Sequence, residues 1–469
     1  MTKSWLETVA QVESMIPLLG SLGREKNVTV QLAGHELLAN SVTSLMTIFE
    51  QYPAYDVIDI KNALVELQHS TIAAQTIDLD VFLIDSDFIS SNFLPGTFLD
   101  YLHISSLENN NGSTPVVLYG FGRIGRLLTR RLCRLGKTNS DMTLAAIVVR
   151  KKDEADLRKR ANLLKFDSVH GEYDGMVKVD VDQQALIING HTVKVIYASH
   201  PSEVDYQSYD IDNALLVDNT GLWRDADALD VHLQCAGIER VLLTAPGKQM
   251  KNVVFGVNDV DVVAEDRILS AASCTTNAIA PILSVLEESY GIESGHVETI
   301  HAYTNDQNLI DNIHKGDRRG RAAALNMVIT ETGAAKAVAK AIPSLAGKLS
   351  GSAIRVPVIN VSIAVLNLTF KQELSVTSIH ELLQKASQSM AHFGQIGFSE
   401  NPDAVSSDFI GSEQAGILDS LSTKVQGRQA TLYVWYDNEY GYSCQVVRLM
   451  ERLARLNIQT RIDSQHQAA

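Results

Sequence analysis

Between Pro115 and Leu132 the chain reads as a short apolar run, a glycine-rich turn and a helix, and few folds accommodate that order. Pro115-Val-Val-Leu-Tyr119 has the make-up of a buried strand. Gly120, Phe121, Gly122, Arg123, Ile124 and Gly125 follow at G-x-G-x-x-G spacing, and Leu127, Leu128 and Leu132 continue as a helix. Glycines so placed permit a tight turn and close approach to a pyrophosphate, whose charge the helix N-terminus stabilises. A ligand-free turn is the plainer reading of the glycines alone. A strand before and a helix after favour a dinucleotide site. The expected fold is α/β, with a doubly wound parallel sheet over about 114–273.

A second strand, Leu144 to Val149, ends where an NAD site usually places an acid on the ribose 2′-OH. That acid is missing, and Arg150, Lys151 and Lys152 follow. Arg150 would attract a 2′-phosphate that an Asp would repel; cations facing solvent are the alternative. Further strand-like runs, Ala214 to Asp218 and Arg240 to Thr244, lead into Thr220-Gly221 and Thr244-Ala245, expected at the cofactor crevice.

Cys274 lies in Ser273-Cys274-Thr275-Thr276-Asn277, just before the helical spacing of Ile279 to Glu288. A helix start carries unpaired N–H groups and partial positive charge, which favour the nucleophilic thiolate. A cysteine in a hydroxyl-rich turn is, by itself, more often an ordinary thiol.

The four cysteines have no paired spacing, which argues for a reducing compartment and against a disulfide or zinc framework. No apolar run reaches membrane-spanning length, and the first residues lack the basic start and apolar core of a secretory signal. A cytoplasmic location is expected. Net charge is −15, and residues 1–112 hold 4 Lys and Arg against 14 Asp and Glu. That face repels phosphate backbones and anionic lipid, so neither nucleic acid nor membrane is an expected partner.

Those first 112 residues read as a mostly helical module. Trp5, Leu6, Val9, Val12, Met15, Ile16 and Leu19 share one helical face, ended by Gly20. A second helix is expected from Leu37 to near Tyr52-Pro53, and a third around Ile60 to Leu67. Asp78 to Ile89 fits helix or strand, and Asn109 to Ser113 has the composition of a linker. The module is regulatory, an assembly element or a stabilising appendage; its residues do not choose between them.

Downstream come Thr299-Ile-His301-Ala-Tyr-Thr304-Asn-Asp306-Gln, Thr332-Gly333-Ala-Ala-Lys, Arg355-Val-Pro and Trp435-Tyr-Asp-Asn438-Glu-Tyr-Gly-Tyr442-Ser. With Phe166-Asp-Ser-Val-His-Gly171 and the cysteine pentapeptide, these make the chain from about Pro115 to Asn457 resemble phosphorylating glyceraldehyde-3-phosphate dehydrogenase, in a long form with an extra N-terminal module.

The resemblance implies a Rossmann-type nucleotide domain (113–273 and 438–469), an α+β catalytic domain (274–437), and a homotetramer. It implies Cys274 as nucleophile and His301 as base, an imidazolium holding the thiolate. Asn438 would orient the nicotinamide, with Tyr442 packed beside it. Thr304, Asp306 and Arg355 would hold the substrate's phosphate; Ser273, Thr275, Thr332, Gly333 and Arg319 would hold inorganic phosphate. The implied reaction converts glyceraldehyde 3-phosphate, inorganic phosphate and NAD(P)+ to 1,3-bisphosphoglycerate and NAD(P)H, reversibly, through a Cys274 thioester. Asn312-Ile313 stand where NAD-selective members carry Leu-Pro. With the missing acid this leans toward NADP, or dual use with NAD. Rival readings are erythrose-4-phosphate dehydrogenase, which hydrolyses its thioester, and an inactive dehydrogenase-like scaffold. Arg158, Lys159 and Arg160 fall in what reads as a short insertion with no assigned role, and the tail from Asp463 as frayed.

Overall fold

Apolar spacing in the first seventy residues produces three helices, α1 (Lys3–Lys26), α2 (Val42–Gln51) and α3 (Val57–His69). The computed structural model describes residues 3–32, 35–38, 40–51, 56–70, 76–79, 113–134, 142–153, 155–330, 332–387, 389, 392 and 394–468. The Asp78–Ile89 stretch lies almost wholly outside them, as does the linker before Ser113. The chain divides into two compact units, one of residues 1–114, 132–143 and 465–469, the other of 115–131 and 144–464.

The first unit departs from the sequence reading in two places. Helix α1 runs through Pro17 and Gly20 to Lys26, because Leu22 extends the buried stripe of Val12, Met15 and Leu19. An interior Gly costs only about 1 kcal/mol, less than a buried Leu returns. Helix α2 begins at Val42, not Leu37: the Leu37 N–H donates to the Val30 carbonyl, continuing a hairpin of β1 (Thr29–Leu32) and β2 (His35–Glu36). A third short strand, β3 (Thr76–Asp78), pairs parallel to β1.

In the second unit the glycine turn sits between β4 (Thr114–Tyr119) and α4 (Arg123–Leu132), as its sequence requires. Then come β5 (Met142–Val149), α5 (Asp156–Lys165), β6 (His191–Tyr197), β7 (Ala214–Asp218), β8 (Ile238–Leu243) and β9 (Ile268–Ser270). Across the sheet the order is β9-β8-β7-β4-β5-β6, extended at its edges by Lys251–Asn252, Ala185–Ile188 and Val177–Asp180. This is the doubly wound order, reversing between β4 and β7, where the ends of the strands open a crevice.

After Ser273 the chain enters α6 (Cys274–Tyr290), whose Ile279, Ile282, Leu283 and Leu286 pack on a second sheet. Its central strands are β10 (Ile292–Ala302), β11 (Leu349–Val356), β12 (Ser362–Phe370) and β13 (Gln429–Tyr436), in the order β11-β10-β12-β13. Val297, Thr299 and His301, two apart along β10, are all buried. The last helix, α7 (Tyr440–Ala468), continues through the tail expected to fray. Among the described residues no helix is long and apolar enough to cross a membrane, and no cluster of three or more His, Cys, Asp or Glu could hold a metal ion.

Candidate active site

Ser273 caps α6, its Oγ accepting the Thr276 N–H at 3.0 Å, so Cys274 becomes the first residue of a 17-residue helix. Just before it, Ala272 has φ of +55°, a conformation costly for a residue with a Cβ. Two contacts hold it: its N–H donates to Ser270 Oγ at 3.0 Å, and its carbonyl accepts from Tyr442 Oη at 3.0 Å. Tyr442, expected beside the nicotinamide, thus anchors the turn that aims the thiol.

The Cys274 Sγ lies 3.5 Å from His301 Nε2. In the parallel β10–β11 register His301 stands opposite Arg355. Arg355 Nη1 and His301 Nδ1 each lie 2.7 Å from the Ala302 carbonyl. Arg355 Nη1 also lies 2.8 Å from Nδ1 itself; assigning Nδ1 as a donor to the carbonyl leaves the Nε2 lone pair facing the thiol, and assigning it as the acceptor from Arg355 places the proton on Nε2.

Burial, then the nearby Arg355 charge, pull the imidazole down to about 3. Burial likewise pushes the thiol up, against the opposing pull of Arg355 and of N–H groups at the helix start. Burial thus works against charge on both members of the pair, and the helix-start N–H groups and Arg355 work for a thiolate.

The anion-binding candidates are arranged differently from their sequence grouping. Arg319 Nη1 donates to Asp306 Oδ2 at 2.5 Å, and its Nε and Nη2 reach Thr330 Oγ1 at 3.2 and 3.0 Å. Asp306, a carboxylate that cannot donate to a phosphate, serves as the counter-ion of Arg319. Thr275 Oγ1 bonds Tyr436 Oη at 2.9 Å inside the core. Thr332 Oγ1 accepts the Ala334 N–H, and Gly333 is the exposed cap of helix Ala334–Ala341. Thr304 is half-buried beside the Asp306 turn.

Asn438 is linked to the histidine strand through a residue the sequence did not single out. Ser362 Oγ accepts the Ala302 N–H at 3.1 Å and donates to Asn438 Oδ1 at 2.7 Å. With the Asn438 oxygen assigned as the acceptor, its amide NH₂ is left to recognise a carbonyl.

At the crevice, Tyr119, Gly120, Phe121, Gly122, Arg150 and Thr220 line a cleft of about 370 Å³. Asp218 accepts from both Thr220 N–H and Oγ1 at 2.7 Å, and its carbonyl accepts from Thr244 Oγ1 at 3.1 Å. Gly221 adopts φ of +63° in the same turn. The Arg123 guanidinium is engaged by Glu439 and Asp167, so only its backbone, with those of Ile124 and Gly125, can face a pyrophosphate. The turn fits one: Gly122 faces open space where a side chain would project, and α4 supplies free N–H groups of its first turn.

A Cβ on Gly125 would lie 2.4 Å from the Gly120 carbonyl oxygen, and Gly120 itself has φ of +97°. Gly125→Ala is therefore expected to cost roughly 1–3 kcal/mol through forced backbone shifts. Dinucleotide affinity should fall at least about tenfold by calorimetric titration. Unchanged affinity removes the turn from the binding site.

Comparison with known proteins agrees with this geometry. Residues 114–226 match the family model for the glyceraldehyde 3-phosphate dehydrogenase NAD binding domain, and 273–438 that for its C-terminal domain. A Pseudomonas aeruginosa glyceraldehyde-3-phosphate dehydrogenase-like protein is 47% identical over 466 residues, covering 94% of this chain and 99% of its own length. Glyceraldehyde-3-phosphate dehydrogenase 2 of Bacillus subtilis is 40% identical over 342 residues, 72% of this chain and 96% of its own. The Thermotoga maritima glyceraldehyde-3-phosphate dehydrogenase is 42% identical over 343 residues, 73% of this chain and 99% of its own. Two family models that together cover more than half of the chain, and relatives at 40–47% identity, show that the chain belongs to the glyceraldehyde-3-phosphate dehydrogenase family.

Proposed function

We propose that the chain oxidises glyceraldehyde 3-phosphate with inorganic phosphate to 1,3-bisphosphoglycerate, reversibly, through a Cys274 thioester, acting as a homotetramer. The observation that carries this reading is the 3.5 Å approach of Cys274 Sγ to His301 Nε2 at the start of α6. Cys274 attacks the aldehyde carbon as His301 Nε2 takes the thiol proton. The helix-start N–H groups meet the developing oxyanion. Arg355 and Thr304 hold the substrate phosphate, while Ser273, Thr332, Gly333 and Arg319 receive the phosphate that attacks the thioester. The nicotinamide cofactor, when bound, supplies hydride acceptance; Gly120 to Gly125, Thr220, Gly221, Thr244 and Asn438 would hold it. Arg150, and the absence of an acid at the end of β5, favour NADP or dual use.

Initial rates against inorganic phosphate test the reading. A saturable requirement is expected. A rate indifferent to phosphate replaces the proposal with hydrolytic erythrose-4-phosphate oxidation, and inertness toward aldehyde phosphates with a scaffold.

A further inference from the structure

The stretch 158–160 read as an insertion lies on α5, and its Arg160 lines the end of the cleft where β5 gives out. Arg160, Lys152 and Arg150 line that wall together. Arg160 is the least exposed of the three. Its Nε and Nη2 grip the buried Asp156 carboxylate at 2.5 and 3.0 Å, and Nη2 also donates to the Arg150 carbonyl at 2.9 Å. Asp156 Oδ1 further accepts the Lys152 N–H at 3.3 Å. One guanidinium therefore ties the first turn of α5 to the loop carrying the other two cations. Among the described residues Nη1 of Arg160 takes no hydrogen bond, so the side chain keeps an unused donor on the cleft wall.

Among the described residues that line the cleft there is no Asp or Glu. Asp156 is held by Arg160, Asp153 by Lys159 at 2.5 Å, and Glu203 by the Ser199 N–H at 2.7 Å. A ribose diol is recognised by an acceptor. This wall offers donors and positive charge, which suit a phosphate instead.

We propose that Arg160, with Arg150 and Lys152, forms a subsite for a phosphate on the 2′ position of adenosine, and that Asp156 positions Arg160 for it. The proposal rests on the reading of the cleft as a dinucleotide site. It gives the insertion a role in coenzyme choice.

Calorimetric titration of the full chain with adenosine 2′,5′-bisphosphate and with adenosine 5′-diphosphate tests it without turnover. The 2′-phosphorylated probe should bind about tenfold tighter or better at low salt, and the preference should shrink as salt rises. Arg160→Gln should bring the preference close to unity while leaving adenosine 5′-diphosphate affinity within about twofold. If removing Arg160 leaves Asp156 unpaired and the variant does not fold, Asp156→Asn with Arg160→Gln carries no uncompensated charge and should give the same loss. Equal affinity of the two probes in the wild type overturns the proposal, as does a preference surviving either variant. Binding of neither probe, with the circular dichroism spectrum intact, overturns the underlying dinucleotide reading.

Discussion

His301→Gln is expected to lower kcat by a factor of about 10² to 10⁴, the range general-base removal typically costs. Glutamine keeps much of the volume and an amide able to hydrogen-bond, so the loss reports proton transfer more than packing. His301 Nε2 lies 3.5 Å from Sγ, within reach of the thiol proton. Without it, attack must wait for the thiol to ionise to water, and burial has made that harder. Alkylation of Cys274 by iodoacetamide should slow in parallel. Cys274→Ser should leave no measurable turnover. If His301→Gln retains more than a tenth of wild-type kcat, His301 is not the base.

The second large effect concerns Asp437, only 1% exposed. Its Oδ1 accepts the N–H groups of Glu439 and Tyr440 at 2.9 and 2.8 Å, capping α7. Its Oδ2 accepts Gly411 N–H at 2.8 Å and His170 Nε2 at 3.1 Å. Asp437→Ala strands all of these donors at once, and a loss of roughly 3–5 kcal/mol is expected, measured as a lowered denaturation midpoint. Asn438, next in the chain, should lose its fixed direction, so the coenzyme KM should rise as well.

The same carboxylate sets an acid limb. Burial would raise its pKa, but the hydrogen bond from His170, that residue's charge and the Gly411 N–H outweigh it and hold the carboxyl below the usual range. A depressed folded pKa contributes stability fully present above the unfolded value, about 3.9, and lost as pH falls below it. Asp167, gripped by Arg123 and the N–H groups of His170 and Val169, adds to the same limb. Stability should therefore fall steeply below about pH 4, and Asp437→Asn should flatten that fall. An identical acid profile in the variant removes Asp437 as its source.

What the sequence disclosed depends on how locally each feature is specified. The strand–turn–helix at Gly120 and the start of α6 at Cys274 are written in consecutive residues, and both were legible there. Leu37 was misassigned to a helix because its apolar spacing does not reveal the hairpin bond to Val30. Gly20 looked like a stop until the burial of Leu22 outweighed it. Ser362 belongs to no motif, Tyr436 stands inside one that does not reveal its contact, and Thr330 again belongs to none. Each matters through a partner 60, 161 or 11 residues away, and only the folded sheet supplies that partner. The burial that opposes charge on Cys274 and His301 was likewise hidden, since it is a property of the assembled core.

That His301 and Arg355 occupy one rung of a parallel strand pair has a consequence for when the thiol becomes dangerous. The guanidinium suppresses the basicity of the ring beside it for as long as its charge stands uncompensated. An anionic group settling on Arg355 would remove that share of the suppression, burial keeping the larger one, and the ring's appetite for a proton would rise with its arrival. Iodoacetamide should therefore alkylate Cys274 faster with inorganic phosphate present than without it, and an equal rate removes Arg355 as the link.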